Sequence, residues 1–179
     1  RNRSFTTSIS RLMRSSEQIR GLNPAQWEVL RYLARANRFS RTPAAVAEFL
    51  ATTRGTVSRS LASLEAKGFI ARAASARDGR SVEMAPTARA AKALARDPLQ
   101  ALALDLDRAL GAQVATLLED LRRAHRAAVQ RQGNRPFGAC FTCRHFRADR
   151  RPTSAQPHHC ALLDEPLSQA DSQAICVEQ

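Results

Sequence analysis

The chain has 179 residues, with 28 Arg or Lys against 16 Asp or Glu and a net charge of +12 at pH 7. This length suits one full domain with a small appendage. Residues 1–132 carry 23 basic and 11 acidic residues, whereas residues 133–179 carry five of each. The basic first segment favours a nucleic-acid partner. No secretory start and no apolar run near the ~18 residues that span a bilayer are present, which predicts a cytoplasmic protein with no membrane partner.

Helical periodicity dominates the first 130 positions. Apolar spacing predicts a weakly amphipathic helix over residues 4–20. Asn23 followed by Pro24 predicts the start of a second helix, because Asn is a favoured N-cap and Pro a favoured first helical residue.

Two short helices separated by a tight turn come next. The third predicted helix covers Ala44–Ala51, and the fourth starts after Thr52 or Thr53 and ends at Gly68, a residue suited to a left-handed cap. This spacing is typical of a helix-turn-helix. The fourth helix has a polar face that could lie in the major groove of DNA; a solvated surface helix is the alternative. The predicted DNA-contacting residues in this region are Thr53, Arg54, Thr56, Ser58 and Arg59.

Two predicted strands follow, Phe69–Ala74 and Ser81–Met84, joined by a loop with an Asp-Gly turn signal. Arg77 and Arg80 lie in this loop. A basic hairpin directly after a recognition helix is typical of a wing, whose Arg side chains can enter the minor groove. Pairing of Asp78 with Arg80 within the turn is the alternative role, and the two are compatible.

Together, these motifs resemble the winged-helix core of MarR-type transcriptional regulators. The resemblance covers roughly residues 5–132. It implies a homodimer that binds a pseudo-palindromic operator in double-stranded DNA, usually as a repressor. The runs that carry it, in chain order, are Leu22–Leu30, Val46–Leu50, Thr56–Arg59, Leu64–Ile70, Arg77–Ser81 and Pro86–Ala90.

The helices that follow the wing agree with a dimer. Thr87 begins a helix that is expected to bend or break near Pro98, and a second apolar repeat follows Gly111. They offer more apolar surface than a compact DNA-binding core needs. Packing within one chain is one explanation, whereas the resemblance implies that these helices and the first helix meet across a two-fold axis.

All four cysteines lie in the last forty residues, after a linker over residues 130–139, with the spacing C-x2-C-x16-C-x15-C. In a reducing compartment, such clustering favours metal ligands over disulfides. The candidate ligands are Cys140, Cys143, Cys160 and Cys176.

Three segments around these cysteines, Cys140–Phe146, Cys160–Leu163 and Ile175–Cys176, are similar to the cluster-binding half of high-potential iron-sulfur proteins. An iron-sulfur cluster is the favoured cofactor, with 4Fe-4S preferred and 2Fe-2S as the second option. Zinc is the alternative, although structural zinc sites commonly use two close cysteine pairs and this chain has one. Disulfide or free-thiol chemistry is the third option. The expected apolar shell comprises Phe137, Phe141, Phe146, Leu162, Leu163 and Ile175.

The predicted fold is mainly α. Residues 1–132 form a winged helix-turn-helix with a two-stranded β wing and a helical dimerisation region, and residues 133–179 form a small Cys-rich metal-binding module. The favoured function is a DNA-binding transcriptional regulator whose operator affinity is controlled by a C-terminal iron-sulfur cluster sensing redox state, oxygen or iron. The alternative is a ligand-responsive repressor with a structural zinc site. An enzyme is not expected, because no Gly-rich phosphate loop or paired-carboxylate motif is present.

Overall fold

The computed structural model describes residues 21–74, 82–131, 133 and 137–178. The helix predicted over residues 4–20 lies outside them. The described chain is helical, with one small sheet, as far as Arg131, and it continues as short strands and turns. No helix in these ranges is both long and apolar enough to cross a membrane.

The first described helix, α1 (Pro24–Arg35), begins where the sequence predicts. The Asn23 side chain accepts the backbone N–H of Gln26 at 2.9 Å, and the Gln26 side chain accepts the backbone N–H of Asn23 at 3.1 Å. This reciprocal cap satisfies two N–H groups that a helix start leaves unpaired. The inner face of α1 forms the centre of the core through Trp27, Val29, Leu30, Tyr32 and Leu33.

The helix-turn-helix consists of α2 (Pro43–Phe49) and α3 (Arg54–Ala66). Helix α2 starts one residue earlier and ends two residues earlier than predicted. The turn after it passes through Ala51 at φ +48°, a left-handed conformation that L residues rarely adopt. The Thr53 side chain caps α3, and Gly68 at φ +71° follows its end, as predicted from the sequence.

Two antiparallel strands, β1 (Ile70–Ala74) and β2 (Val82–Pro86), form the base of the predicted wing. Strand β2 runs two residues beyond the predicted end. The wing tip, residues 75–81, lies outside the described residues. Strand β2 also contacts the connection between α1 and α2, because the backbone N–H of Met84 donates to the carbonyl of Arg41 at 2.8 Å.

Three helices follow the wing: α4 (Ala88–Leu94), α5 (Pro98–Leu110) and α6 (Val114–Arg131). The predicted break near Pro98 is present. No described side chain of α5 or α6 is buried in the single chain. Large apolar side chains are exposed on both helices, namely Leu104, Leu106, Leu118 and Leu121.

An ion pair fixes the start of α5 against α1. The Arg31 guanidinium donates to both carboxylate oxygens of Asp97, at 2.8 and 2.6 Å. Asp97 also caps α5 by accepting the backbone N–H of Leu99 at 2.9 Å. Burial opposes ionisation of Asp97, but the hydrogen bonds from Arg31 and Leu99 and the charge of Arg31 outweigh it and hold the pKa of Asp97 below its ordinary value.

The C-terminal segment from Phe137 onward, called the tail below, contains two small sheets. One pairs β3 (Gly138–Ala139) with the last described strand, and the other is a three-stranded antiparallel sheet. A short helix precedes the last strand. In chain order, the elements after β3 are β4 (Phe146–Arg147), β5 (His158–Cys160), β6 (Glu165–Leu167), α7 (Gln169–Gln173) and β7 (Ile175–Cys176).

Candidate cysteine centre and DNA-contacting helix

The four cysteines come from separate parts of the tail and line one small cavity. Cys140 begins a 3-10 turn that Cys143 follows, Cys160 ends β5 and Cys176 ends β7. Cys140 and Cys176 are buried, the other two are partly buried, and none forms a disulfide. Apolar side chains of Phe146, Leu162 and Leu167 complete much of the wall.

Three of the four sulfur atoms accept a hydrogen bond from nitrogen. Such donors favour the negatively charged thiolate, which is the form that binds metals. Two of the donors are backbone N–H groups of the tail, and the third is an amide side chain from the helical part of the chain. The pairs are Asn37 Nδ2 to Cys140 Sγ at 3.1 Å, His145 N to Cys143 Sγ at 3.5 Å, and Glu178 N to Cys176 Sγ at 3.4 Å.

The two buried cysteines shift each other's pKa in opposite directions. The hydrogen bond from the Cys140 thiol lowers the pKa of Cys176, helped by donors from Glu178, Asn37 and Ser40 and opposed by burial. The same hydrogen bond to Cys176, together with burial, raises the pKa of Cys140. The hydrogen bond therefore favours the thiolate at Cys176 and the protonated thiol at Cys140.

Within the described ranges, no three His, Cys, Asp or Glu side chains are grouped so that they could hold a single metal ion. His145 lines the cysteine cavity. The other two histidines of the tail have partners of their own: His158 lies 2.6 Å from the Gln169 side-chain oxygen, and His159 lies 3.2 Å from Asp164.

The tail docks on residues 36–41, which connect α1 to α2 and are called the edge segment below. Ala36 and Ile175 form a parallel β-bridge, and the Asn37 N–H donates to the Ile175 carbonyl at 2.9 Å. The Val177 N–H donates to Ser40 Oγ at 2.9 Å. Backbone hydrogen bonds therefore hold the tail on the edge segment.

Side chains strengthen this docking. Arg38 donates to Asp171 at 2.7 Å and to the Pro166 carbonyl at 2.6 Å. Phe137 packs edge-on against Phe49, with ring centroids 5.2 Å apart. These contacts hold the cysteine cavity against the residues that immediately precede the helix-turn-helix.

The predicted apolar shell is only partly correct. Phe146 and Leu162 line the cavity, whereas Phe137 packs on Phe49 and Phe141 is 52% exposed. Ile175 packs against the core of the helical part of the chain. Leu167 and Asn37 also belong to the site, and sequence reasoning missed both, because Asn37 stands 103 positions before its partner Cys140.

The predicted DNA-contacting residues of the helix-turn-helix lie on one accessible face. Thr53, Arg54, Ser58 and Arg59 are exposed. Thr56 is partly buried, and its hydroxyl lies 2.9 Å from that of Thr53. The opposite face of α3 is anchored in the core by Val57, Leu61 and Leu64. The other two predicted contacts, Arg77 and Arg80, lie outside the described residues.

Comparison with known proteins agrees with this architecture. A sequence model of the MarR family matches residues 20–81, a segment that ends before the first cysteine. No curated protein matches the chain by sequence.

Solved structures give the same fold. FabT of Streptococcus pneumoniae, in complex with DNA, superposes with a TM-score of 0.57 at 20% identity, covering 72% of this chain and 95% of FabT. The MepR-DNA complex of S. aureus gives a TM-score of 0.53 at 20% identity, covering 73% of this chain and 93% of MepR. A mutant MarR from E. coli gives 0.52 at 25% identity, covering 66% and 89%.

Proposed function

We propose that this chain is a DNA-binding transcriptional regulator of the MarR family with an iron-sulfur centre in its tail. The family model and the solved structures support the winged-helix part of this proposal. MarR-family proteins are transcription regulators rather than enzymes. The exposed polar face of α3 would enter the major groove of a pseudo-palindromic operator. The exposed leucines of α5 and α6 would join two chains into a homodimer that represses transcription.

The observation that carries the metal proposal is the shared cavity of Cys140, Cys143, Cys160 and Cys176. Four thiols, three with N–H donors, suit a thiolate-bound metal centre. A single zinc ion, with Zn–S bonds of about 2.3 Å, would need its four sulfurs about 3.8 Å apart.

The tail has one close cysteine pair, Cys140 and Cys143, whereas structural zinc sites commonly use two. That arrangement favours a bulkier iron-sulfur cluster, with 4Fe-4S preferred to 2Fe-2S, over the alternative of a structural zinc site in a ligand-responsive repressor.

A bound cluster would supply one-electron redox chemistry and sensitivity to oxygen and iron supply. The chain's own residues would protect the centre from water and stabilise its charge. Phe146, Leu162 and Leu167 would limit water at the centre, and the N–H donors to sulfur would stabilise its negative charge. Operator affinity would then depend on whether the centre is intact.

The cofactor is tested by purifying the full chain without oxygen. We expect a brown protein with a broad thiolate-to-iron band and matching iron and sulfide contents. The band should disappear in Cys143→Ser and persist in Ser154→Ala, a substitution in the exposed loop of the tail. A colourless protein with about one zinc per chain would favour the zinc alternative.

The DNA contacts are tested with two substitutions that each remove one exposed Arg. We expect Arg59→Ala on α3 to weaken operator binding and to reduce the slope of log K against log salt by about one unit. Arg108→Ala on α5, where the Arg side chain is 79% exposed, is the matched control and should change neither. Equal losses in both variants would show that only net charge matters and would remove α3 from the interface.

Control by the centre is tested with cluster-loaded and cluster-free protein on one operator at matched salt. The half-sites should lie about 10 base pairs apart, centre to centre. A centre can shift DNA affinity only if the two protein conformations differ in how well they hold it. We expect affinities that differ at least tenfold, or about 1.4 kcal/mol. Equal affinities of two intact dimers would reduce the centre to a structural role.

A further inference from the structure

A path made of hydrogen bonds and the backbone of the edge segment joins the wing to the cysteine cavity. Met84 of β2 donates its N–H to the carbonyl of Arg41 at the end of the edge segment. At the other end of that segment, Asn37 donates its N–H to Ile175 of β7. The Arg41 side chain closes the segment on itself by donating to the Ala36 carbonyl at 3.0 Å. The edge segment is therefore shared by the wing sheet and the tail.

Asn37 is the residue of this path that touches sulfur. It is 2% exposed. Its Nδ2 donates to Cys140 Sγ at 3.1 Å, and its Oδ1 accepts the backbone N–H of Ser40 at 2.9 Å. Both atoms belong to one rigid amide plane, so a rotation that follows the sulfur necessarily moves the oxygen that holds Ser40. Water cannot readily replace a lost partner at a buried site, which makes each of these bonds costly to break.

A movement of Asn37 would also shift Ser40, which contacts both the helical core and the tail. Ser40 is fully buried, its carbonyl accepts the hydroxyl of Tyr32 at 2.8 Å, and its Oγ accepts the N–H of Val177 at 2.9 Å. The next residue, Arg41, carries the carbonyl that pairs with Met84 of the wing. The distance along the chain from the sulfur-contacting amide to the wing-pairing carbonyl is only four residues.

We infer that Asn37 couples the cysteine centre to the wing, so that a change at Cys140 alters the pairing of β2 with the edge segment. The regulatory meaning of this coupling rests on the proposed function, because the wing matters only if the chain binds DNA. The coupling itself depends on hydrogen bonds that any change of Cys140 would disturb. It holds equally for an iron-sulfur cluster, a zinc ion or free thiols.

Amide hydrogen exchange of the full chain, purified without oxygen, tests the inference without DNA. Asn37→Asp keeps the oxygen that accepts from Ser40 but replaces the donor to Cys140 with a carboxylate oxygen. Arg38→Gln is the matched control, because it weakens tail docking from the neighbouring position without contacting sulfur. We expect Asn37→Asp to speed exchange in β2 about tenfold, as the loss of one buried hydrogen bond predicts, and to leave α3 unchanged. Arg38→Gln should leave β2 within about twofold of the wild type.

A second variant approaches the path from the other end. Cys140→Ala removes the sulfur and leaves every residue of the helical part of the chain intact, so it decides the matter if Asn37→Asp fails to fold. Faster exchange in β2 would support the coupling, and unchanged exchange there would overturn it. Failure of the proposed function is a separate result, since it would be seen as equal DNA affinities of the metal-loaded and metal-free wild type.

Discussion

Replacing Asp97 with Asn should lower the stability of the fold by about 3 kcal/mol at neutral pH. Asn keeps an oxygen that can cap α5 at Leu99, but it removes the charge that faces Arg31. The two side chains are 8% and 14% exposed, and they share hydrogen bonds of 2.6 and 2.8 Å. Removing one partner of such a buried pair costs about 3–5 kcal/mol. The lower end applies because Arg31 also lies 4.0 Å from Glu28.

The pH dependence of this loss has a definite sign. The pKa of Asp97 is lower in the folded chain than its ordinary value of 3.8, so the pair stabilises the fold fully above that value and loses its effect as pH falls through the folded pKa. Urea unfolding of both proteins should therefore show a difference that is constant from neutral pH down to about pH 5 and shrinks below pH 4.

Two comparisons make this prediction specific. Asp105→Asn removes the partner of Arg108 in an exposed pair at 3.7 Å, and it should cost less than about 0.5 kcal/mol. Combining Arg31→Met with Asp97→Asn should recover part of the loss, because no buried charge is then left alone. A loss below about 1 kcal/mol for Asp97→Asn, or one that persists unchanged at pH 3, would refute the assigned role of the pair.

Three further predictions concern the dimer, the thiols and the tail. Leu118→Asp, at a side chain 46% exposed in the single chain, should shift the protein from dimer to monomer in light scattering and keep its helical content. In metal-free, reduced protein, the first rise in thiolate absorbance should come well below pH 9, because the hydrogen bond from Cys140 lowers the pKa of Cys176, and Cys176→Ser should abolish this early rise. Phe137→Ala should remove the edge-on contact with Phe49, destabilise tail docking by about 1 kcal/mol, and speed limited proteolysis of the tail.

Several helix boundaries were predictable because their causes are local. Asn23 and Thr53 each cap a helix by accepting a backbone N–H three residues away, and Gly68 takes a conformation that favours Gly. The break before Pro98 has the same kind of origin. Periodicity likewise identified α3 and its exposed polar face.

The surroundings of the cysteines could not be predicted in the same way. The spacing of the four cysteines in the sequence predicts one shared site, but composition does not identify the apolar residues that surround it. Ile175 packs against the core of the helical part of the chain, and Phe137 packs on Phe49, so neither side chain surrounds the cysteines. Asn37 contributes its amide across 103 positions, and nothing in its neighbours marks it as a partner of sulfur.

The edge segment also has a consequence for folding. Its residues pair with the wing through Arg41, and the backbone of Ala36 and Asn37 forms an isolated β-bridge with Ile175 of the tail. Val177 lies 137 positions after its partner Ser40, so the winged helix can fold before the tail docks on it. Ile175 and Val177 pack against the apolar core of the winged helix, and an apolar patch left exposed promotes association between molecules. The tail therefore acts as an intramolecular cover, and chains cut before Ala174 should associate with one another as their concentration rises.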